Sequence, residues 1–119
     1  MNRNKVIKSL DMKQMDILEK YLSDNNVIYE RKRLYQKSLN NVCKYYYGEQ
    51  IIVYSDTRHN IREWDAVCHR FSYGGDKGLL EIMGTIVDEK SVGDSVEGYL
   101  TAQDVIERIE KHERCDREL

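Results

Sequence analysis

The stretch that decides the fold is residues 64–84, which reads WDAVCHRFSYGGDKGLLEIMG. Its first part, Trp64 to Phe71, predicts a strand of mixed apolar and polar residues. Ser72 to Gly78 then forms a glycine-rich turn. The apolar run from Leu79 to Met83 predicts a short helix that Gly84 ends. The centre of the chain is therefore predicted to be a strand, a turn and a short helix.

Two further strands are predicted before this stretch. Gln50 to Tyr54 is a short apolar run rich in β-branched residues, and it pairs antiparallel with Trp64 to Phe71 because the loop between them is too short for a parallel crossover. Val27 to Tyr35 mixes β-branched and aromatic residues with charges, as an edge strand does. Residues 36–49 are either a loop entering a strand or a long excursion of a hairpin.

A helix is predicted at each end of the chain. Met15, Leu18 and Leu22 form an apolar stripe at helical spacing on a helix from Asp11 to Ser23. A second helix begins at Ala102 and runs to the C-terminus, and Thr101 with Asp104 three residues later is the pattern of a capping box. This order of elements predicts an α+β fold: a small antiparallel sheet of about three to four strands with an N-terminal, a short middle and a C-terminal helix.

Length and composition are those of a single domain. The chain has 119 residues, of which 40% are hydrophobic and 34% charged, with a net charge of −2. We therefore expect one domain over residues 1–119, frayed at 1–9 and 113–119, and no global field that attracts nucleic acid or a membrane. Three cysteines without CxxC spacing, and no signal sequence or apolar span, predict a cytoplasmic protein with reduced thiols. The sequence leaves open a homo-oligomer.

The glycine-rich turn is the first candidate binding site. Glycines between a strand and a helix allow backbone N–H groups to face an anion, and His69, Arg70 and Lys77 would add positive charge. The alternative is a tight turn that needs glycine only for its dihedral angles. Trp64 either belongs to the core or flanks a ligand pocket together with Tyr73. The candidate ligand- or partner-binding residues are Trp64, His69, Arg70, Tyr73, Gly74, Gly75 and Lys77.

Basic and aromatic residues alternate on and after the first strand, which is an alternative binding surface. The residues concerned are Arg31, Lys32, Arg33, Lys37 and Lys44, with Tyr29, Tyr35 and Tyr45 to Tyr47. Such a surface can clamp and stack single-stranded nucleic acid, or anchor a protein partner. The four residues that best represent it are Tyr29, Arg31, Arg33 and Tyr35.

No residues are spaced for catalysis or metal binding. Cys68 and His69 are adjacent on a predicted strand, so their side chains point to opposite faces and cannot share a hydrogen bond. The three histidines are scattered, and none pairs with a cysteine or carboxylate at a metal-site interval. We expect no enzymatic activity, metal or cofactor.

The segments WDAVCH, SYGG and GLLEIMG, followed by VEGYLTAQDVIERI at residues 96–109, resemble a group of small accessory proteins from phages and mobile elements of Firmicutes. The resemblance implies an accessory gene product but transfers no functional residue. It favours a non-catalytic binding protein that antagonises a host defence component by sequestering a host protein or a small phosphate-bearing ligand. The alternative function is a nucleic-acid-binding regulator that uses the basic, tyrosine-rich first strand.

Overall fold

A computed structural model describes residues 13–55, 57–58, 60–87 and 96–118, with side chains up to residue 113. It confirms the α+β class. The glycine-rich turn contains a single 3₁₀ turn at Gly75–Lys77. The helices are α1 (Gln14–Asp24) and α2 (Ala102–Glu118), and the strands are β1 (Tyr29–Lys37), β2 (Lys44–Tyr54), β3 (Arg62–His69), β4 (Leu80–Gly84) and β5 (Val96–Leu100).

The five strands form one antiparallel meander in the order β1-β2-β3-β4-β5. The sheet therefore has more strands than the predicted three to four. β5 was missed because it is short and contains Gly98, and because the sequence before it is acidic and typical of a loop. Residues 88–95, which precede β5, lie outside the described part of the chain.

The predicted helix over residues 79–83 is wrong, because this segment is strand β4. Leu80 and Ile82 are fully buried, whereas Glu81 and Met83 are more exposed, and this alternation is the period of a strand. An apolar run of five residues fits a buried strand as well as a helical turn. Pairing with β3, from Trp64 opposite Gly84 to Val67 opposite Glu81, decides between them.

The hydrophobic core lies between the two helices and one face of the sheet. The sheet contributes the side chains that alternate inward on β2, β3 and β4, and the helices contribute their apolar stripes. Ile51, Trp64 and Ala66 are typical of the sheet side, and Leu18 and Val105 of the helix side. Among the described residues, no helix has both the length and the apolarity needed to cross a membrane.

The capping box of α2 is confirmed. The Asp104 N–H donates to the Thr101 hydroxyl oxygen at 3.1 Å, and the Thr101 N–H donates to the Asp104 carboxylate at 2.9 Å. Asp11, where the first helix was predicted to begin, lies outside the described residues. Gln14, the first residue of α1, accepts a 2.7 Å hydrogen bond from the Ala102 N–H. This contact holds the N-termini of the two helices together.

One arginine joins the first helix to the sheet. The Arg31 guanidinium on β1 donates to Asp16 at 2.8 Å and Glu19 at 3.0 Å on α1, and to Glu49 at 2.8 Å on β2. Its side chain is only 18% exposed. Burial works against the charge, but the hydrogen bonds that Arg31 donates to Glu49 first, and then to Asp16 and Glu19, outweigh it and raise the pKa of Arg31 above its ordinary value. We call these four residues the Arg31 cluster.

Removing this arginine is expected to destabilise the fold. Arg31→Ala leaves three carboxylates close together without a counter-charge. We expect a loss of about 2–3 kcal/mol in the free energy of unfolding, below the ~3–5 kcal/mol of a fully buried pair because Asp16 and Glu19 reach solvent. Urea denaturation measures the change. The control is Arg33→Ala, which removes an exposed arginine two residues away, and an equal loss in both variants would contradict the assigned role.

Candidate functional site

The hairpin of β1 and β2 extends beyond the rest of the sheet. These two strands pair from Tyr29 opposite Val53 to Lys37 opposite Lys44, whereas β3 joins β2 only up to Gly48. Residues 35–47 therefore project as a two-stranded ribbon, which we call the arm. Residues 36–49 were predicted to be either a loop entering a strand or a long excursion of a hairpin, and in the structure they belong to a hairpin.

The turn at the end of the arm is held by its own hydrogen bonds. The Ser38 N–H donates to the Cys43 carbonyl at 2.8 Å, and the Cys43 N–H donates to the Ser38 hydroxyl at 3.1 Å. The Ser38 hydroxyl also lies 2.8 Å from the Asn40 side-chain oxygen. The turn still leaves Leu39 fully exposed and Val42 at 74% exposure. An apolar, ordered tip on a projecting ribbon is a surface available for contact.

The arm is positively charged and aromatic. The arm contains Lys37 and Lys44 and no acidic residue, and Lys32 and Arg33 come shortly before it in the sequence. Tyr35, Tyr45 and Tyr46 are about half exposed, and the Arg33 guanidinium lies 5.8 Å from the centre of the Tyr46 ring. In a chain whose net charge is −2, this is a local concentration of positive charge that composition alone does not show.

A β-bulge separates two neighbouring tyrosines at the root of the arm. Leu34 pairs with Gly48 and Tyr35 with Tyr46, so Tyr47 is the extra residue. Tyr46 lines a small cavity with Met15 on the helix side of the sheet. The Tyr47 ring instead contacts the His69 ring, with centroids 5.4 Å apart. The bulge thus places an aromatic side chain on the opposite face of the sheet, against which neither described helix packs and which we call the open face.

Three rings meet on that open face, and we call Tyr47, His69 and Phe71 the aromatic cluster. The Phe71 centroid is 6.0 Å from Tyr47 and 6.2 Å from His69. The Phe71 N–H donates to His69 Nδ1 at 3.0 Å, which fixes the imidazole ring. The Arg70 guanidinium lies 5.9 Å from the centre of the Phe71 ring. His69 and Arg70 are thus the two predicted site residues that the structure brings to this cluster.

The glycine-rich turn uses most of its backbone N–H groups internally. A side chain at Gly75 would overlap the carbonyl oxygen of His69, so this glycine is required by close packing. Ser72 folds the turn back, because its hydroxyl both donates to the His69 carbonyl and accepts the His69 N–H, each at 2.9 Å. The N–H groups that donate to protein acceptors are those of Ser72, Tyr73, Gly75, Lys77, Gly78 and Leu79. The arrangement supports the structural interpretation of this turn over the anion site.

The remaining residues predicted for this site are dispersed. Gly74 is buried, while Lys77 and the ring of Tyr73 are exposed. Trp64 is 5% exposed and belongs to the core. It also lines a cleft of about 620 Å³ at the end of the sheet away from the arm, but Tyr73 does not line that cleft.

Of the four residues of the alternative surface, two are held within the fold and two are exposed. Arg31 is engaged by three carboxylates, and Tyr29 packs against the core. Arg33 and Tyr35 are exposed and continue into the arm. Gln36 and Phe71 were not predicted as site residues. Phe71 is nevertheless the only phenylalanine in the chain and follows directly after His69 and Arg70.

Cys68 and His69 point to opposite faces of the sheet, as their spacing predicts. Cys68 packs against the core, and its thiol lies 3.9 Å from the Gly75 carbonyl oxygen. Burial, and then the Glu49 carboxylate, raise the pKa of Cys68 above its ordinary value. Within the described residues, no three His, Cys, Asp or Glu side chains are grouped to hold a metal ion.

No protein-family model matches this chain, and neither a curated protein nor a solved structure does.

Cys68 is expected to react slowly with alkylating agents. A raised pKa lowers the thiolate fraction at neutral pH, and the thiolate is the reacting form. Peptide mapping after iodoacetamide treatment of the native protein should show Cys43, which is exposed, modified well before Cys68. The rate at Cys68 should rise only above the pH at which ordinary thiols ionise. Faster modification of Cys68 than of Cys43 would contradict this prediction.

Proposed function

We propose that this chain is a non-catalytic binding protein that binds nucleic acid through the arm. The observation that carries the proposal is the facing pair Lys37 and Lys44, which are direct cross-strand partners where the arm meets its tip. Like charges opposite each other destabilise a strand pair. No acidic residue of the arm compensates for them, so the arm has a charge that an anionic ligand would neutralise.

Nucleic acid fits the arm better than an anion without flat rings. Lysine ammonium groups bind phosphates, and exposed tyrosine rings stack on bases without regard to sequence. Tyr35, Tyr45 and Tyr46 lie between Arg33 and the two lysines on the same ribbon. A two-stranded ribbon also fits the width of a duplex major groove, so both double- and single-stranded ligands are sterically compatible with the arm.

The proposal moves the binding surface away from the glycine-rich turn. Most of the N–H groups that could hold a small phosphate-bearing ligand at that turn already donate within the protein. The expectation that the chain is an accessory protein of a phage or mobile element, directed against a host defence component, stays a prediction. Under that expectation, the arm is the surface we assign to the interaction.

Neutralising the lysine pair is expected to weaken binding without weakening the fold. Lys37→Thr with Lys44→Thr removes the repulsion and introduces residues that favour strands. The affinity for a fluorescent mixed-sequence oligonucleotide should fall, and the slope of log affinity against log salt should decrease by about one for each lysine removed. Anisotropy titrations over a salt series measure both, and urea denaturation measures stability.

The matched control is Lys77→Thr, which removes one exposed lysine from the glycine-rich turn. We expect it to leave affinity and salt slope unchanged. A fall in affinity caused by Lys77→Thr alone would return the binding surface to the turn. Absence of binding to any oligonucleotide at low salt would refute the proposed function and leave an acidic protein as the partner of the arm.

A further inference from the structure

The aromatic cluster at the root of the arm exposes ring surface to solvent. Tyr47 meets His69 at an interplanar angle of 68°, His69 meets Phe71 at 62°, and Tyr47 meets Phe71 at 48°. None of these pairs is a parallel stack, in which two rings would cover each other completely. Phe71 is 66% exposed although it is part of this cluster. The cluster therefore offers exposed aromatic surface at Phe71.

A shallow cavity, largely open to solvent, lies beside these rings. It has a volume of about 360 Å³ and is lined by the three residues of the cluster together with Tyr35 and Gln36 of the arm. The Gln36 amide carries both hydrogen-bond donors and an acceptor, so it can pair with the polar edge of a flat heterocycle.

We propose that this cavity binds an unpaired nucleobase, so the ligand of the arm is single-stranded. The inference rests on the proposed function. Recognition of single strands uses aromatic rings on which splayed bases stack, next to basic side chains that follow the backbone. Tyr47 connects the basic arm to the aromatic cluster, because it belongs to the arm by sequence and its ring contacts His69 on the open face of the sheet. In a duplex the base faces are already stacked on each other and could not reach these rings.

The positive charges around the aromatic cluster disfavour a cationic ligand, which is the main alternative to a nucleobase at an aromatic site. Clusters of aromatic rings also bind quaternary ammonium groups. The Arg70 guanidinium already lies over Phe71 at 5.9 Å, and the arm adds further positive charge, so a cationic ligand would be repelled. The same guanidinium is positioned to contact the phosphate that follows a stacked base.

The site is limited to the side of the sheet near the arm. Farther along the open face, Gln50 donates a 2.7 Å hydrogen bond to Asp65. The Glu81 carboxylate accepts the Tyr73 N–H at 3.1 Å. These carboxylates would repel a phosphate backbone. We therefore expect the cluster to hold a single base or two, with the rest of the strand lying along the arm.

Three oligonucleotide probes of the same length test the inference: a mixed-sequence single strand, its duplex, and a single strand whose central positions are abasic. The full-length protein is expected to prefer the single strand over both other probes. Phe71→Ala should weaken binding of the single strand roughly tenfold, the effect of losing one stacked base, and should leave the abasic probe unaffected. Phe71→Leu keeps the apolar volume without the ring and should lower the affinity for the single strand as much as Phe71→Ala does. Phe71→Trp keeps an aromatic ring and should retain that affinity.

The matched control is Tyr73→Ala, an exposed aromatic on the same turn that lies outside the cavity. It should change none of the three affinities. Equal affinities for single strand and duplex, unaltered by Phe71→Ala, would overturn this inference. If the lysine variant still weakened binding in that case, the proposed function would stand. A failure of all three probes to bind would overturn both.

Discussion

The structure depends on the Arg31 cluster, because it connects α1 to the hairpin of β1 and β2 through side-chain hydrogen bonds. Asp16 and Glu19 project from α1, Glu49 from β2 and Arg31 from β1, and all three carboxylates reach one guanidinium. The planar fork of arginine can serve several acceptors at once, which a lysine ammonium does less well. The cluster lies next to the apolar core, between the core residues of the hairpin and the arm.

This position of the cluster explains why the arm can be exposed, charged and still ordered. On one side of Arg31, the hairpin is held by the core residues Ile51 and Val53. On the other side, the chain has no acidic residue until Glu49 returns on β2 to the same guanidinium. The acids are therefore concentrated at the anchor and the remaining bases on the arm. Such a division has a cost in stability at Lys37 and Lys44, and costs of this kind are expected where a surface serves binding.

The sequence predicted the elements whose determinants are local. The apolar stripe of α1 and the capping box at Thr101 depend on residues three or four positions apart, and both are present in the structure. The element β4 could not be predicted in this way, because a short apolar run becomes a strand only through pairing with β3. For the site, the sequence identified the basic and tyrosine-rich composition. It could not show that Arg31 is engaged by carboxylates from other elements.

The bulge at Tyr47 determines which tyrosines of the arm face the helices and which one reaches the open face of the sheet. Without an extra residue, strict alternation would place Tyr45 and Tyr47 on one face and Tyr46 on the other, with the arm in register throughout. The bulge breaks this register so that Tyr46 faces the helix side, near Arg33, and Tyr47 reaches His69 on the open face. Gly48, directly after it, allows this change, because any side chain there would overlap His69 across the strand pair. A single irregularity thus connects the arm, which we propose binds the phosphate backbone, to the rings that we assign to a base.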